Sequence, residues 1–198
     1  MSRRAPRNDV HELMESSFLT ETVKYDGTQL RSHWIYEQTG ILGNAITAFI
    51  GGADVPLKNM VDLVDVKAKE NIYSTSMLHF LVEHFSEDLS SMILRQRLLA
   101  AIATEELKRF DRCKEVQRKG DDIYDGDKKL SVSIATASPV SCLIHFGINI
   151  KSEKTPVPTK GLADYDIDPK QFADILMRRY VEELRSINTA RCKVRSVP

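Results

Sequence analysis

Asp122 and Lys129 stand seven residues apart within GDDIYDGDKKLSVSIATASPVSCLIHFGINI, residues 120–150. The run reads as a strand, a tight turn crowded by Asp125, Asp127 and Lys128, a second strand and a third strand ending at Ile150. A hairpin of this kind brings Asp122, just before its first strand, next to Lys129, which opens the second. An ammonium in a half-enclosed pocket can hold a carboxylate or carbonyl oxygen, and a neighbouring carboxylate keeps that ammonium charged. Lys129 and Asp122 are therefore the candidate catalytic pair. The plainer alternative is a hairpin whose charges are only solvated.

Other residues offer weaker chemistry. His145 lies in an apolar strand and is either an acid–base or polar pocket group or a hydrogen-bonded core histidine. Asp54, Asp62 and Asp65 form a carboxylate-rich stretch able to hold Mg²⁺ beside a phosphate. Gly51-Gly52 would let backbone amides approach an anion, although a turn alone explains them. Arg31 could clamp a carboxylate with two parallel bonds or lie on the surface. His79 and His84 fall on opposite faces of one strand, so they cannot share a metal.

The elements that must position these groups alternate between the two periods. Residues 9–19 read as a short helix capped by Asp9, and Thr22–Tyr25 as a strand running into the Asp26-Gly27 turn. Residues 28–39 read as a helix stopped by Gly40, with Leu30, Trp34 and Ile41 inward. Ala45–Ile50 is an apolar strand ended by Gly51-Gly52, and Met60–Val66 is a further strand. Residues 72–85 are a long strand, with a helix over 75–85 as the rival. It places Met77, His79, Leu81 and Glu83 on one face and Leu78, Phe80, Val82 and His84 on the other. Residues 88–110 carry Leu89, Met92, Ile93, Gln96, Leu99, Ala100, Ala103 and Leu107 at helical spacing. A loop covers 151–166, and a last helix runs from Asp168-Pro169 to Arg185. The mixture of hairpin-linked strands and helices gives an α+β domain over 1–198, with a central mixed, mainly antiparallel sheet flanked by helices and mobile basic ends near 1–8 and 190–198.

Lys+Arg and Asp+Glu are both 28, so the formal net charge is zero and nucleic acid is not an expected partner. No apolar run is long enough to span a membrane, and the first residues lack a secretory signal. Three scattered cysteines, Cys113, Cys142 and Cys192, argue against disulfides and for a cytoplasmic setting. The two main helices offer apolar stripes for only one face of the sheet. The uncovered face predicts a homo-oligomer, most simply a dimer. The rival is a monomer whose segment 9–19 folds back over that face.

The segment 120–150 resembles the catalytic core of the biotin and lipoate protein ligase superfamily. The matching residues are Asp121-Asp122-Ile123-Tyr124, Lys129-Leu130-Ser131-Val132 and Gly147-Ile148-Asn149-Ile150. The stretch His145-Phe146-Gly147-Ile148-Asn149 is also similar to a strand of the octanoyltransferases in that superfamily. The whole chain resembles an archaeal family, domain of unknown function 366, through Leu30-Arg31-Ser32-His33-Trp34, Val61-Asp62-Leu63 and Gly120-Asp121-Asp122-Ile123-Tyr124. The resemblance implies a ligase-like fold and a site that binds a small carboxylate or acyl compound, with acyl transfer or ligation as its chemistry. It adds Asn149 to Arg31, Gly51, Gly52 and His145 as substrate-binding candidates. The chain departs from the ligases at Gly51-Gly52-Ala53-Asp54-Val55-Pro56, which has no arginine to neutralise phosphate charge and only Lys58 nearby. ATP and Mg²⁺ are accordingly not expected, and no other cofactor is indicated. The loop 155–159 lacks the cysteine of the octanoyltransferases. The alternative reading is a non-catalytic binding or sensing protein on the same fold.

Overall fold

The computed structural model describes residues 14–69, 72–85, 87–151 and 158–197. Five strands join in the order β1 (Glu15–Phe18), β2 (Ala45–Val55), β3 (Ile72–His84), β8 (Cys142–Lys151), β7 (Ser131–Ala137). β1 runs parallel to β2, and every other pairing is antiparallel. A second, small sheet holds β4 (Val116–Lys119), β5 (Asp122–Asp125) and β6 (Lys128–Lys129). The helices are α1 (Trp34–Thr39), α2 (Leu63–Ala68), α3 (Leu89–Leu107) and α4 (Pro169–Cys192).

Alternation along β3 and β8 decides both faces of the large sheet. Leu78, Phe80 and Val82 face the same way as Ile144, Phe146 and Ile148, and they meet Met92, Leu99 and Ala103 of α3 with Phe172, Leu176 and Tyr180 of α4. Each fully buried Leu, Val, Ile, Phe or Met among them contributes roughly 1.5–3 kcal/mol. Both helices start at an aspartate whose carboxylate accepts an amide of the first turn: Asp88 from Ser91 N and Asp168 from Gln171 N, each at 2.7 Å. Pro169 follows at the first helical position, where its missing N–H costs nothing.

The opposite face carries a second apolar cluster of Tyr25, Trp34, Ile35, Phe49, Val55 and Leu81. Segment 19–41 supplies much of it, so the chain itself covers β2 and β3 there, and the uncovered face that pointed to a dimer is absent from this half of the sheet. Glu83, buried on this side, accepts bonds from His33 N at 2.9 and 3.1 Å and from Ser141 Oγ at 2.6 Å. His33 adopts φ 63°, a left-handed conformation uncommon for a residue with a Cβ, and Glu83 is what fastens its amide.

Several sequence expectations are corrected. The helix over 9–19 gives way to β1 at Glu15–Phe18, because its backbone groups find partners along β2; its first residues and the Asp9 cap lie outside the described residues. Thr22–Tyr25 forms a single bridge, Tyr25 to Ala53, although Val23 N and Tyr25 N still bond Ile50 O and Gly52 O. The helix over 28–39 shrinks to α1, stopped at Gly40 as expected, with φ 73°. Gly51-Gly52 does not end β2, which shifts register there and continues to Val55. Met60–Val66 is not a strand: Asp62 accepts from Val64 N and Asp65 N and starts α2 instead. The last helix runs on to Cys192, past its apolar stripe. Among the described residues no helix is long and apolar enough to cross a membrane.

Candidate functional site

The β5–β6 hairpin sets Tyr124 opposite Lys129 and brings the Lys129 ammonium to 2.6 Å from Asp122 Oδ2. The lysine backbone is held on several sides. Its N–H donates to Pro158 O at 2.9 Å, and its carbonyl accepts from Lys160 N at 3.2 Å and from Asn149 Nδ2 at 3.4 Å. Ser131 Oγ accepts from Ile123 N at 2.8 Å and donates to Asp122 Oδ1 at 3.4 Å. The two side chains are 29% and 17% exposed, so water screens the pair only in part. Burial raises the Asp122 pKa above the ordinary carboxylate value and outweighs the pull of Lys129. Burial also opposes the charge of Lys129, but Asp122, with Tyr124 and Asp65, holds its pKa above normal. Lys129 is therefore charged at neutral pH.

Lys129 and Asp122 line a cavity of about 200 Å³. Val132 and Ile134 of β7 and His145 of β8 face it together, because register pairs Val132 with Gly147 and Ile134 with His145. Tyr25, Leu30, Val55 and Ile72 add apolar lining, and Asn59, Met60, Val61, Asp62 and Asp65 come from the turn before α2 and from α2 itself. Gly147 keeps the floor low: a Cβ there would lie 2.7 Å from Met77 Cε and 3.3 Å from Val132 Cγ2. The volume falls below the roughly 300–1,000 Å³ of typical small-molecule sites, so it suits a small ligand or one part of a larger one.

His145 is 2% exposed and stacks on Tyr25, with ring centroids 3.9 Å apart and planes within 10°. Its Nε2 lies 3.0 Å from His79 Nδ1, and His79 Nε2 lies 3.3 Å from Gly51 O. Burial lowers the His79 pKa to about 4 and pushes that of His145 well below 6.5, the neighbouring His79 adding to the latter. Both rings are neutral at pH 7.

The structure thus gathers Lys129, Asp122, His145, Asp62 and Asp65 at one cavity. The remaining candidates lie elsewhere. Arg31 is exposed and paired to Glu37. Asp54 pairs with Lys24 at 2.7 Å, both more than half exposed. Gly51 and Gly52 lie within β2, and their carbonyls serve His79 and Tyr25. Asn149 anchors the lysine backbone and does not line the cavity. Among the described residues no three His, Cys, Asp or Glu side chains converge as a metal site. Three contributors were not singled out as site residues from the sequence. Tyr25 read as a strand end, Asp121 as a member of the ligase-like motif, and Gln96 as part of a helix stripe. Gln96 Nε2 reaches from α3 to Asp121 Oδ2 at 3.0 Å and Ser133 Oγ at 2.7 Å, so the helix steadies the cavity edge. The unusual polar residue within that apolar stripe was the available clue.

The profile of the family described as Domain of unknown function (DUF366) matches residues 14–195, and the chain belongs to that family. It is 38% identical over 185 residues to "Uncharacterized protein MJ0805" of Methanocaldococcus jannaschii, covering 89% of this chain and 82% of that one. A solved structure described as a protein of unknown function from Pyrococcus horikoshi is 37% identical, with a TM-score of 0.87 over 93% of this chain and all (100%) of that one. The fold is also that of a biotin protein ligase variant from Aquifex aeolicus in complex with biotin. There the TM-score is 0.57 at 18% identity, over 86% of this chain and 70% of the other. The expected ligase-like α+β architecture is therefore correct.

Proposed function

We propose that the cavity beside Lys129 binds a small acyl compound and that the lysine ammonium holds its carbonyl or carboxyl oxygen. The observation that carries this reading is the half-buried Lys129–Asp122 pair at 2.6 Å on the cavity lining. Charge narrows the ligand further. Among the described residues, four aspartates, Asp62, Asp65, Asp121 and Asp122, line the cavity against one lysine. Arg97 offsets Asp121 at 3.3 Å, and carboxylates still outnumber cations among the described lining residues. A neutral carbonyl of an ester, thioester or acyl adenylate suits such a lining better than a free carboxylate, which like charges repel. Acyl transfer or ligation on that carbonyl is the leading chemistry, since an ammonium aimed at a carbonyl oxygen stabilises the negative charge that develops on it. The Aquifex biotin ligase of the same fold is in complex with biotin, which supports a small organic ligand on this fold and not its identity.

A non-catalytic binding or sensing role is the second reading. It is favoured by the absence of any thiol among the cavity-lining residues: Cys113 and Cys142 are buried elsewhere, and Cys192 is exposed on α4. Thermal-shift titration with octanoate, lipoate, biotin and their acyl adenylates tests binding, with Lys129→Ala in parallel. An adenylate response larger than the free-acid response, lost in the variant, is expected. An equal response of both proteins to every compound removes Lys129 from the site. Native mass spectrometry of protein from its own host then separates the readings, since a covalent acyl adduct marks an enzyme and a dissociable metabolite marks a sensor.

A further inference from the structure

Gly51 O can only accept, so His79 carries its proton on Nε2, 3.3 Å away. His79 Nδ1 is then a bare lone pair, and the bond across 3.0 Å to His145 Nε2 requires the His145 proton on Nε2. The second nitrogen of His145, Nδ1, is left as an acceptor with no partner among the described residues. His145 lines the cavity, and Tyr25, stacked on its ring, fixes its tilt. We infer that His145 Nδ1 is a preset hydrogen-bond acceptor on the cavity floor, so that the ligand presents an N–H or O–H donor there, as in an amide, urea or alcohol.

This inference rests on the cavity being the ligand site. A backbone carbonyl at the far end of the relay makes the acceptor permanent, since no side-chain rotation can supply Gly51 O with a different role. Being neutral and hard to protonate, His145 acts as an acceptor and not as a general base at pH 7. The aspartates around the cavity point the same way, because carboxylates also accept. A ligand with only acceptors at this end would bury His145 Nδ1 against a lone pair, and such a mismatch costs about tenfold in affinity or more.

The test uses ¹⁵N-labelled full-length protein and long-range correlation spectra of the histidine rings. Without ligand, both His79 and His145 are expected as the Nε2–H form with bare Nδ1. A proton on His145 Nδ1 overturns the inference. Titration then compares 2-pyrrolidinone, which has an N–H, with cyclopentanone, a ring of the same size without one. Backbone signals of Val132 and Ile134 report occupancy. Pyrrolidinone is expected to bind about tenfold more tightly and to shift His145 Nδ1, and equal binding of the two probes overturns the inference. If neither probe moves Val132 or Ile134, the cavity reading itself fails and takes the inference with it. In His79→Phe the preference for pyrrolidinone should fall, because His145 is freed to exchange tautomers. A preference kept in a folded variant shows that the relay does not set it.

Discussion

A Cβ placed on Gly51 would lie 1.8 Å from the carbonyl oxygen of Val23. That oxygen belongs to backbone threaded along β2, with Val23 N on Ile50 O at 3.0 Å and Tyr25 N on Gly52 O at 2.9 Å. Neither segment of that contact can retreat without losing these bonds, so glycine is required by the close approach. Gly51→Ala should cost about 3 kcal/mol or more. Gly52→Ala, whose Cβ would meet Ser74 O and Thr75 O at 3.3 Å, should cost distinctly less. Thermal unfolding of both variants checks this; equal midpoints would mean that Val23 does not press on Gly51.

Lys129→Ala removes the cation from a carboxylate whose one other side-chain partner among the described residues is Ser131. We expect lost ligand response together with about 1–3 kcal/mol of lost stability, the usual cost of stranding a buried polar group. Asp122→Asn in the same background should restore part of that stability. Urea denaturation of the four proteins of the cycle measures it, and strictly additive effects would show that the pair is solvated.

ATP–pyrophosphate exchange with biotin or lipoate should be absent or weak. Among the described residues that line the cavity, Lys129 is the only cation, against four aspartates, and phosphate charge needs neutralising for the transfer to proceed. Robust exchange would require cations to be recruited from outside this cavity.

Stability should fall as the medium is acidified from about pH 6.5 to about pH 4. Burial lowers the pKa of His79 to about 4; that of His84 falls to about 3 through burial, with the Arg95 charge adding to it. The unfolded chain takes up protons near 6.5 while the native rings refuse them, so the unfolded state binds more protons in this window and gains on acidification. The stabilisation is fully present above 6.5 and is lost towards the folded pKa. For His79 alone the loss is on the order of 3 kcal/mol. Denaturation midpoints followed across this range check it, and a flat profile would mean that the buried histidines are hydrated.

Legibility followed the kind of force involved. β3 was readable because alternation put Leu78, Phe80 and Val82 on one face and His79, Leu81 and Glu83 on the other, and the packing agrees. The Asp122–Lys129 hairpin was readable because its contacts are local. Residues 60–66 misled because Val61, Leu63 and Val64 look like a strand, yet Leu63 and Val64 are 80% and 74% exposed and the Asp62 cap decides the helix. Gly51 looked like an anion-binding turn because nothing local records that Val23 would press on it. The joining of His79 to His145 depends on a strand pairing 66 residues apart, which no local pattern encodes.

The strand order also sets a timetable for the growing chain. β3 ends at His84, but its second neighbour, β8, begins only at Cys142. At the usual pace of about 5–20 residues per second, a ribosome leaves that edge of β3 open for roughly 3–12 s. The segment made in the interval includes α3, whose Leu99 and Ala103 cover the same face as Leu78 and Phe80. A nascent chain can therefore shelter its face early while its edge stays unpaired, and the cavity floor, built from β7 and β8, is completed after the wall that carries Tyr25.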